Sequence, residues 1–311
     1  MLFFVADTAK FCNELKMDSP IQSAETTIDH IGLVGRTITP MVSAYRALGF
    51  NVSDPVPLVQ PNPDGNPTPL GQVSAHIIFP DTYMELTAIL NPGQGNHLDN
   101  WLAHHDGLHI LAFRSIDAER AWHDLEAYGI VVPPIRAASR EVRMGGKHGT
   151  ADFKWFQIPE SIVAEGFACV VQHLTPELVF IDSMTNHANG ALGLRGIGVV
   201  ANDLDEAFAR YERLPGAERR SFAIGRAIVF KNQRMTVMQP KGFRALFPGA
   251  TPPEPPAIAY HAVTVRDIGA TKACLARAGV PFQPWGTDGI WVSPELACGS
   301  TLVFVDKKVE A

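Results

Sequence analysis

One short pattern returns four times along the chain, and it limits the fold more than any other feature. A strand-like segment, with His in or near it, is followed by an amphipathic helix. The copies are Asp29-His30-Ile31-Gly32-Leu33-Val34, Gly107-Leu108-His109-Ile110-Leu111-Ala112-Phe113, Arg195-Gly196-Ile197-Gly198-Val199-Val200 and Ala259-Tyr260-His261-Ala262-Val263-Thr264-Val265. The third has Gly where His would fall. A repeat of this size is one supersecondary unit used several times. Equivalent strands of paired units can then bring their histidines together around one point.

Unit one runs from about Thr27 to Pro92, with a first strand Ile28–Val34 and a helix from Thr39 to Gly49 that has Pro40 at N1. A proline-rich loop, Pro55 to Pro69, leads to strands Val73–Phe79 and Tyr83–Ile89. Unit two, Gly107 to Leu178, has a helix from Ser115 to Gly129 and strands at Ile130–Val132, Phe153–Ile158 and Gly166–His173. Unit three restarts at Ile197, with a helix from Asp203 to Leu214; unit four carries His261 and a helix from Asp267 to Gly279. Each unit reads β-α-β-β-β, which predicts an α+β architecture with mostly antiparallel sheets. Linkers are expected at Phe180–Leu194 and Pro248–Pro256. The expected domains are 27–180 and 195–311, after an extension at 1–26 with a helix from Asp7 to Leu15.

The 311 residues are 46% hydrophobic and 19% charged, the balance of a globular chain with a sizeable core. Net charge is -6 and no basic stripe occurs, which argues against nucleic acid. No stretch approaches the roughly 20 apolar residues of a membrane span, and Met1–Asp7 is too short for a signal peptide core. Cys12, Cys169, Cys274 and Cys298 form no C-x-x-C pair and read as reduced thiols of a cytoplasmic protein. Serine-hydrolase order, a nucleophile elbow and a dinucleotide fingerprint are all absent from the sequence.

Ile28-Asp29-His30-Ile31-Gly32-Leu33-Val34 and Tyr83-Met84-Glu85-Leu86 resemble the vicinal oxygen chelate superfamily, nearest its glyoxalase-like domain family. The resemblance covers nearly everything after residue 26. It implies four βαβββ units arranged as two paired glyoxalase/bleomycin-resistance/dioxygenase-like half-barrel modules. It also implies a divalent metal (Fe, Zn, Mn, Ni or Co) held by first- and fourth-strand residues. Carried over, the ligand set is His30, Glu85, His109 and either His173 or Gln172. A one-residue shift reverses the face of a strand, so only one of the last two can point inward. His173 is preferred, because Leu174-Thr175 matches Leu86-Thr87. Units three and four offer no carboxylate in their fourth strands and read as a degenerate pair, with His261 structural.

The loop Arg143-Met144-Gly145-Gly146-Lys147-His148-Gly149-Thr150 offers Arg143, Lys147, His148 and backbone amides to a carboxylate or phosphate. One of Trp155 and Phe156 should face the interior, and Gln172 is a further substrate contact. His104-His105 read as exposed. The expected activity is a metal-dependent lyase or isomerase on a small oxygenated metabolite, with the metal as Lewis acid and Glu85 as general base. The alternatives are an Fe(II) extradiol-type dioxygenase and a metal-free binding or resistance protein. The expected partner is a small-molecule substrate, with homodimerisation left open.

Overall fold

The computed structural model describes residues 27–60, 68–91, 98–211, 213–214, 218–230 and 232–310. The 1–26 extension, with its expected helix and Cys12, and the middle of the proline-rich loop lie outside the described residues.

Strand β1 (Thr27–Gly35) leads into α1 (Ile38–Ala47), then β2 (Val56–Gln60), β3 (Thr68–Ile78) and β4 (Tyr83–Ile89). A single turn, α2 (Asp99–Leu102), precedes β5 (Gly107–Arg114), α3 (Ala118–Ala127), β6 (Arg136–Met144), β7 (Lys147–Ile158) and β8 (Phe167–His173). The second half has β9 (Ala191–Val200), α4 (Leu204–Tyr211), β10 (Glu218–Phe222), β11 (Gly225–Phe230), β12 (Gln233–Met238) and α5 (Pro240–Leu246). It closes with β13 (Ala257–Val265), α6 (Ile268–Arg277), β14 (Gln283–Trp285), β15 (Gly289–Val292) and β16 (Thr301–Asp306).

Local chemistry sets these limits. Asp117 caps α3 by accepting from the Arg120 amide at 3.0 Å, and Asp267 caps α6 through the Ala270 amide at 2.9 Å. Gly129 and Gly279, at φ 73° and 69°, end the same helices in the left-handed conformation that glycine adopts without strain. Helix α1 buries Met41, Val42 and Tyr45.

The sheet is mixed. Within each unit the first strand is parallel to the last: β1 with β4, β5 with β8, β9 with β12, β13 with β16. First strands of successive units pair antiparallel, β1 with β5 and β9 with β13, and a short β5–β13 contact joins the halves. One apolar core crosses that junction, from Ile31, Tyr45 and Phe79 to Phe113, Phe230, Val263 and Phe304.

Three expectations are corrected. The segment Pro55–Pro69 is not all loop, because β2 occupies Val56–Gln60 and pairs antiparallel with β3. Ile130–Val132 is not a strand; the third quarter of unit two is instead a long β6–β7 hairpin. The linker is shorter than expected, since β9 begins at Ala191, and part of it straps the first half: His187 Nε2 donates to the Ile78 carbonyl at 3.0 Å while Nδ1 accepts from the Asn51 amide at 3.0 Å. Among the described residues no helix is long and apolar enough to cross a membrane.

Candidate functional site

The register of β1 against β5 decides which side chains meet. His30 opposes Ala112 and Gly32 opposes Ile110, with shifts on either side that leave Asp29 and His109 as the extra residues of two bulges. The pairing is symmetric. Asp29 in unit one therefore corresponds to His109 in unit two, and His30 corresponds to Ile110. The parallel pairs Gly32–Glu85 and Ala112–Cys169 then make Cys169 the counterpart of Glu85. In β9 and β13 the extra residues are Arg195 and Ala259, so His30 corresponds to Gly196 and Tyr260. The three histidines of the sequence pattern thus occupy three different positions: beside a bulge (His30), on a bulge (His109), and one residue beyond (His261). His261 is a core residue whose ring nitrogens meet Ser300 Oγ at 2.9 Å and the Tyr45 hydroxyl at 3.3 Å. Burial lowers its pKa to about 3.

Asp29 is fully buried and gathers three partners. Its carboxylate accepts from His30 Nδ1 at 2.8 Å, Arg114 Nε at 2.6 Å and His173 Nε2 at 3.0 Å. Burial would raise its pKa, but hydrogen bonds and charge from His173 and His30 outweigh this and hold it well below the carboxylate range. An ionised carboxylate only accepts. His30 therefore carries its proton on Nδ1, leaving Nε2 basic, and His173 carries its proton on Nε2.

His30 and His173 line a cavity of ≈ 590 Å³ walled by residues of β1 to β8, a size suited to a small organic ligand. Tyr83 lies between the imidazoles: its ring stacks on His30 at 4.2 Å and is 5.9 Å from His76 and 6.3 Å from His173. Glu85 faces the same space, with Oε1 accepting from Ser74 Oγ at 2.6 Å and Thr87 Oγ1 at 2.8 Å. Arg140 on β6 donates from Nη1 to His76 Nε2. Burial, then the Arg140 and His30 charges, keep the His76 pKa well below its ordinary value. The rest of the wall is apolar, with Leu98, Ile110, Phe153, Trp155 and Phe167.

The cavity brings together His30, Glu85, His173 and Trp155; Phe156 is in the core. It does not include His109. That side chain turns toward the segment after α2, with Nε2 against the His105 carbonyl at 2.7 Å and its ring 4.2 Å from that of His105. Gln172 is also turned away, accepting from the Ala118 amide at 3.0 Å and donating to the Ile116 carbonyl at 2.8 Å, so it tethers α3. Arg143, Lys147 and His148 belong to a tight hairpin turn with Gly145 and Gly146 at positive φ; Arg143 pairs with Glu141, and none of the three lines the cavity. His105 packs on His109 rather than standing free in solvent.

The four-residue ligand set does not fit one ion. Two positions that would complete it by symmetry hold Ile110 and Cys169, and among the described residues no three His, Cys, Asp or Glu side chains are grouped to hold a metal. The reading from sequence missed Asp29, Gln72, His76, Tyr83 and Arg140. A signal for two of them was present: Gln72, Ser74 and His76 alternate with Val73, Ala75 and Ile77, a polar face on a strand whose other face is core.

A family model described as a glyoxalase-like domain matches residues 28–215. No curated protein matches the sequence. Similar solved structures include a hypothetical protein from Staphylococcus aureus (TM-score 0.63, 8% identity, 90% of this chain and 99% of that one). A mutant of 4-hydroxymandelate synthase from Streptomyces coelicolor follows (TM-score 0.56, 14% identity, 93% of both chains). A third is a xylose isomerase-like TIM barrel/4-hydroxyphenylpyruvate dioxygenase fusion protein (TM-score 0.59, 12% identity, 93% of this chain), of which this chain spans 50%. At these identities the likeness is one of fold.

Proposed function

The chain belongs to the glyoxalase-like domain family of the vicinal oxygen chelate superfamily, and from that premise we propose that it is an enzyme moving a proton within a small carbonyl-bearing substrate held in the first-half cavity. The observation that carries this reading is the Asp29 hub. A buried, ionised carboxylate fixes His30 in the tautomer whose free Nε2 can act as a base on the cavity side. His30 takes the proton from the carbon next to the carbonyl. The His30 imidazolium, paired with Asp29, returns that proton to the enolate oxygen, while Glu85, pinned through Oε1 by Ser74 and Thr87, accepts a hydrogen bond from the enol O–H through its other oxygen. Trp155, Phe153 and Phe167 give the substrate body an aromatic wall and keep water from it. The net change is an isomerisation: one C–H bond breaks and one O–H bond forms.

Metal-dependent lyase or isomerase chemistry and Fe(II) ring cleavage both ask for a ligand set around one ion, and the face reversal of His109 removes one member of the set assigned from sequence. Side-chain acid–base chemistry is therefore the reading the cavity supports best.

An aryl keto acid is a suitable probe, since 4-hydroxyphenylpyruvate is named for one fold neighbour. Its exchange of the C3 protons in deuterated water, followed by NMR, should be accelerated by the protein. The rate should fall at least 100-fold in His30→Gln and survive exhaustive dialysis against chelator. Binding without exchange would leave a binding module; exchange appearing only after a divalent metal is added would overturn the side-chain mechanism.

A further inference from the structure

Four buried polar nitrogens on this cavity have no hydrogen-bond partner among the described residues: Gln72 Nε2, His76 Nδ1, Arg140 Nη2 and His173 Nδ1. Their chemistry is readable. Gln72 Nε2 and Arg140 Nη2 are donors in every state. His76 Nε2 accepts from Arg140, so the neutral ring carries its proton on Nδ1, a third donor. Only His173 Nδ1 is left as an acceptor, because Nε2 donates to Asp29. His76 and Gln72 are 2% and 3% exposed. An orphaned buried donor costs about 1–3 kcal/mol, and more when charged, so such a row is retained where a ligand completes it.

We infer that the substrate of this site is an anion, its carboxylate held by Arg140 with His76 at one end of the cavity and a second oxygen acceptor met by Gln72 at the other. The spacing supports two contacts rather than one. Gln72 and His76 share the cavity face of β3 four residues apart, about 13 Å along a strand. Between them Ser74 is already committed to Glu85 and Thr87. The guanidinium is held in place on two sides. His76 fixes Nη1, and the group lies 5.8 Å from the Tyr83 ring centroid, which favours a cation there. Trp155 and Phe153 suit an aryl body between the two polar ends.

This inference rests on the cavity being the substrate site, and the test separates the two. The probes are 3-(4-hydroxyphenyl)propionate, which cannot enolise, and its primary amide, titrated by calorimetry. The acid should bind at least tenfold tighter than the amide to the wild type. In Arg140→Gln the two should fall within twofold of each other. Gln72→Leu should weaken both several-fold without changing their ratio. Arg140→Lys keeps the charge but not the fork; it should retain the acid preference at about tenfold lower affinity, and it serves if the glutamine variant fails to fold. Equal affinities in the wild type, failure of both probes to bind, or an acid preference that survives Arg140→Gln would overturn the anion clamp. Preference for the acid together with no proton exchange on the keto acid would leave the clamp standing and overturn the catalytic reading.

Discussion

The two halves of the molecule follow the same strand order, yet one is hollow and the other is filled. The first encloses ≈ 590 Å³; at the corresponding place in the second, a void of ≈ 20 Å³ remains beside Arg195, Arg234, Tyr260 and Trp285. The difference comes from a few positions. Tyr260 stands where His30 stands in unit one, and its ring covers Gly198 so closely that a Cβ there would lie 1.7 Å from Cε1. Phe247, which follows α5, packs on Tyr260 and Trp291 at 5.2 and 5.6 Å. Where Glu85 faces the cavity, the second half has Thr236 and Val303. One scaffold therefore gives a chamber or a packed core, and the exchange of the His30 imidazole for the Tyr260 phenol beside the bulge is one part of that difference.

That contrast can be broken from either side, and the largest effect is expected at Asp29. Asp29→Ala leaves Arg114 and two imidazoles without their shared carboxylate; removing one partner of a buried ion pair costs about 3–5 kcal/mol. Urea unfolding should show this loss together with loss of proton exchange. Tyr260→Ala should cost about 3 kcal/mol by opening a hole in the second half, while activity per folded molecule stays within twofold. A large drop in activity would tie the second half to the chemistry.

Acid should test both halves together. Burial holds His109 and His187 at a pKa of about 4 and His261 at about 3, and His76 well below its ordinary value, desolvation being the largest cause in each. These groups stay neutral in the folded chain while their unfolded counterparts protonate near pH 6.5. The unfolded state then binds more protons, so stability falls as pH drops from about 6.5 toward 4, by up to about 1.4 kcal/mol per pH unit for each histidine. Above pH 7 they contribute no slope. Asp29 acts in the same direction only at lower pH, because its folded pKa lies below the unfolded 3.8 and its stabilisation is lost as pH falls through that range. His261→Gln should flatten part of the acid slope, and an unchanged slope would contradict the assignment. The smallest effect is expected in the β6–β7 turn: Arg143→Ala and Lys147→Ala should change stability by less than about 0.5 kcal/mol and leave probe affinity unchanged.

Element order and the inward face of β8 were legible because they rest on periodicity: Cys169, Val171 and His173 alternate with residues that point elsewhere. The same alternation separates Trp155 from Phe156. The placement of His109 was not legible. Bulges make Asp29 and His109 the equivalent, unpaired residues of their two strands, and a bulge leaves no mark on a run such as Gly107-Leu108-His109-Ile110. Asp29 sits in plain view beside His30, but its role depends on Arg114 and His173, which are 85 and 144 residues away. Arg140 reaches the cavity only because β6 and β7 form a longer hairpin than the glycine-rich loop suggested. A sequence pattern can name the strand; which face a residue takes is fixed by its partner strand.

The most direct test is a crystal of the protein soaked with 4-hydroxyphenylpyruvate and solved with the ligand free to settle anywhere. The account predicts density in the first-half cavity, with the carboxylate at hydrogen-bond distance from Arg140, the ring against Trp155, and none beside Tyr260. A ligand bound in the second half, or seated on the β6–β7 turn with the cavity empty, would contradict it.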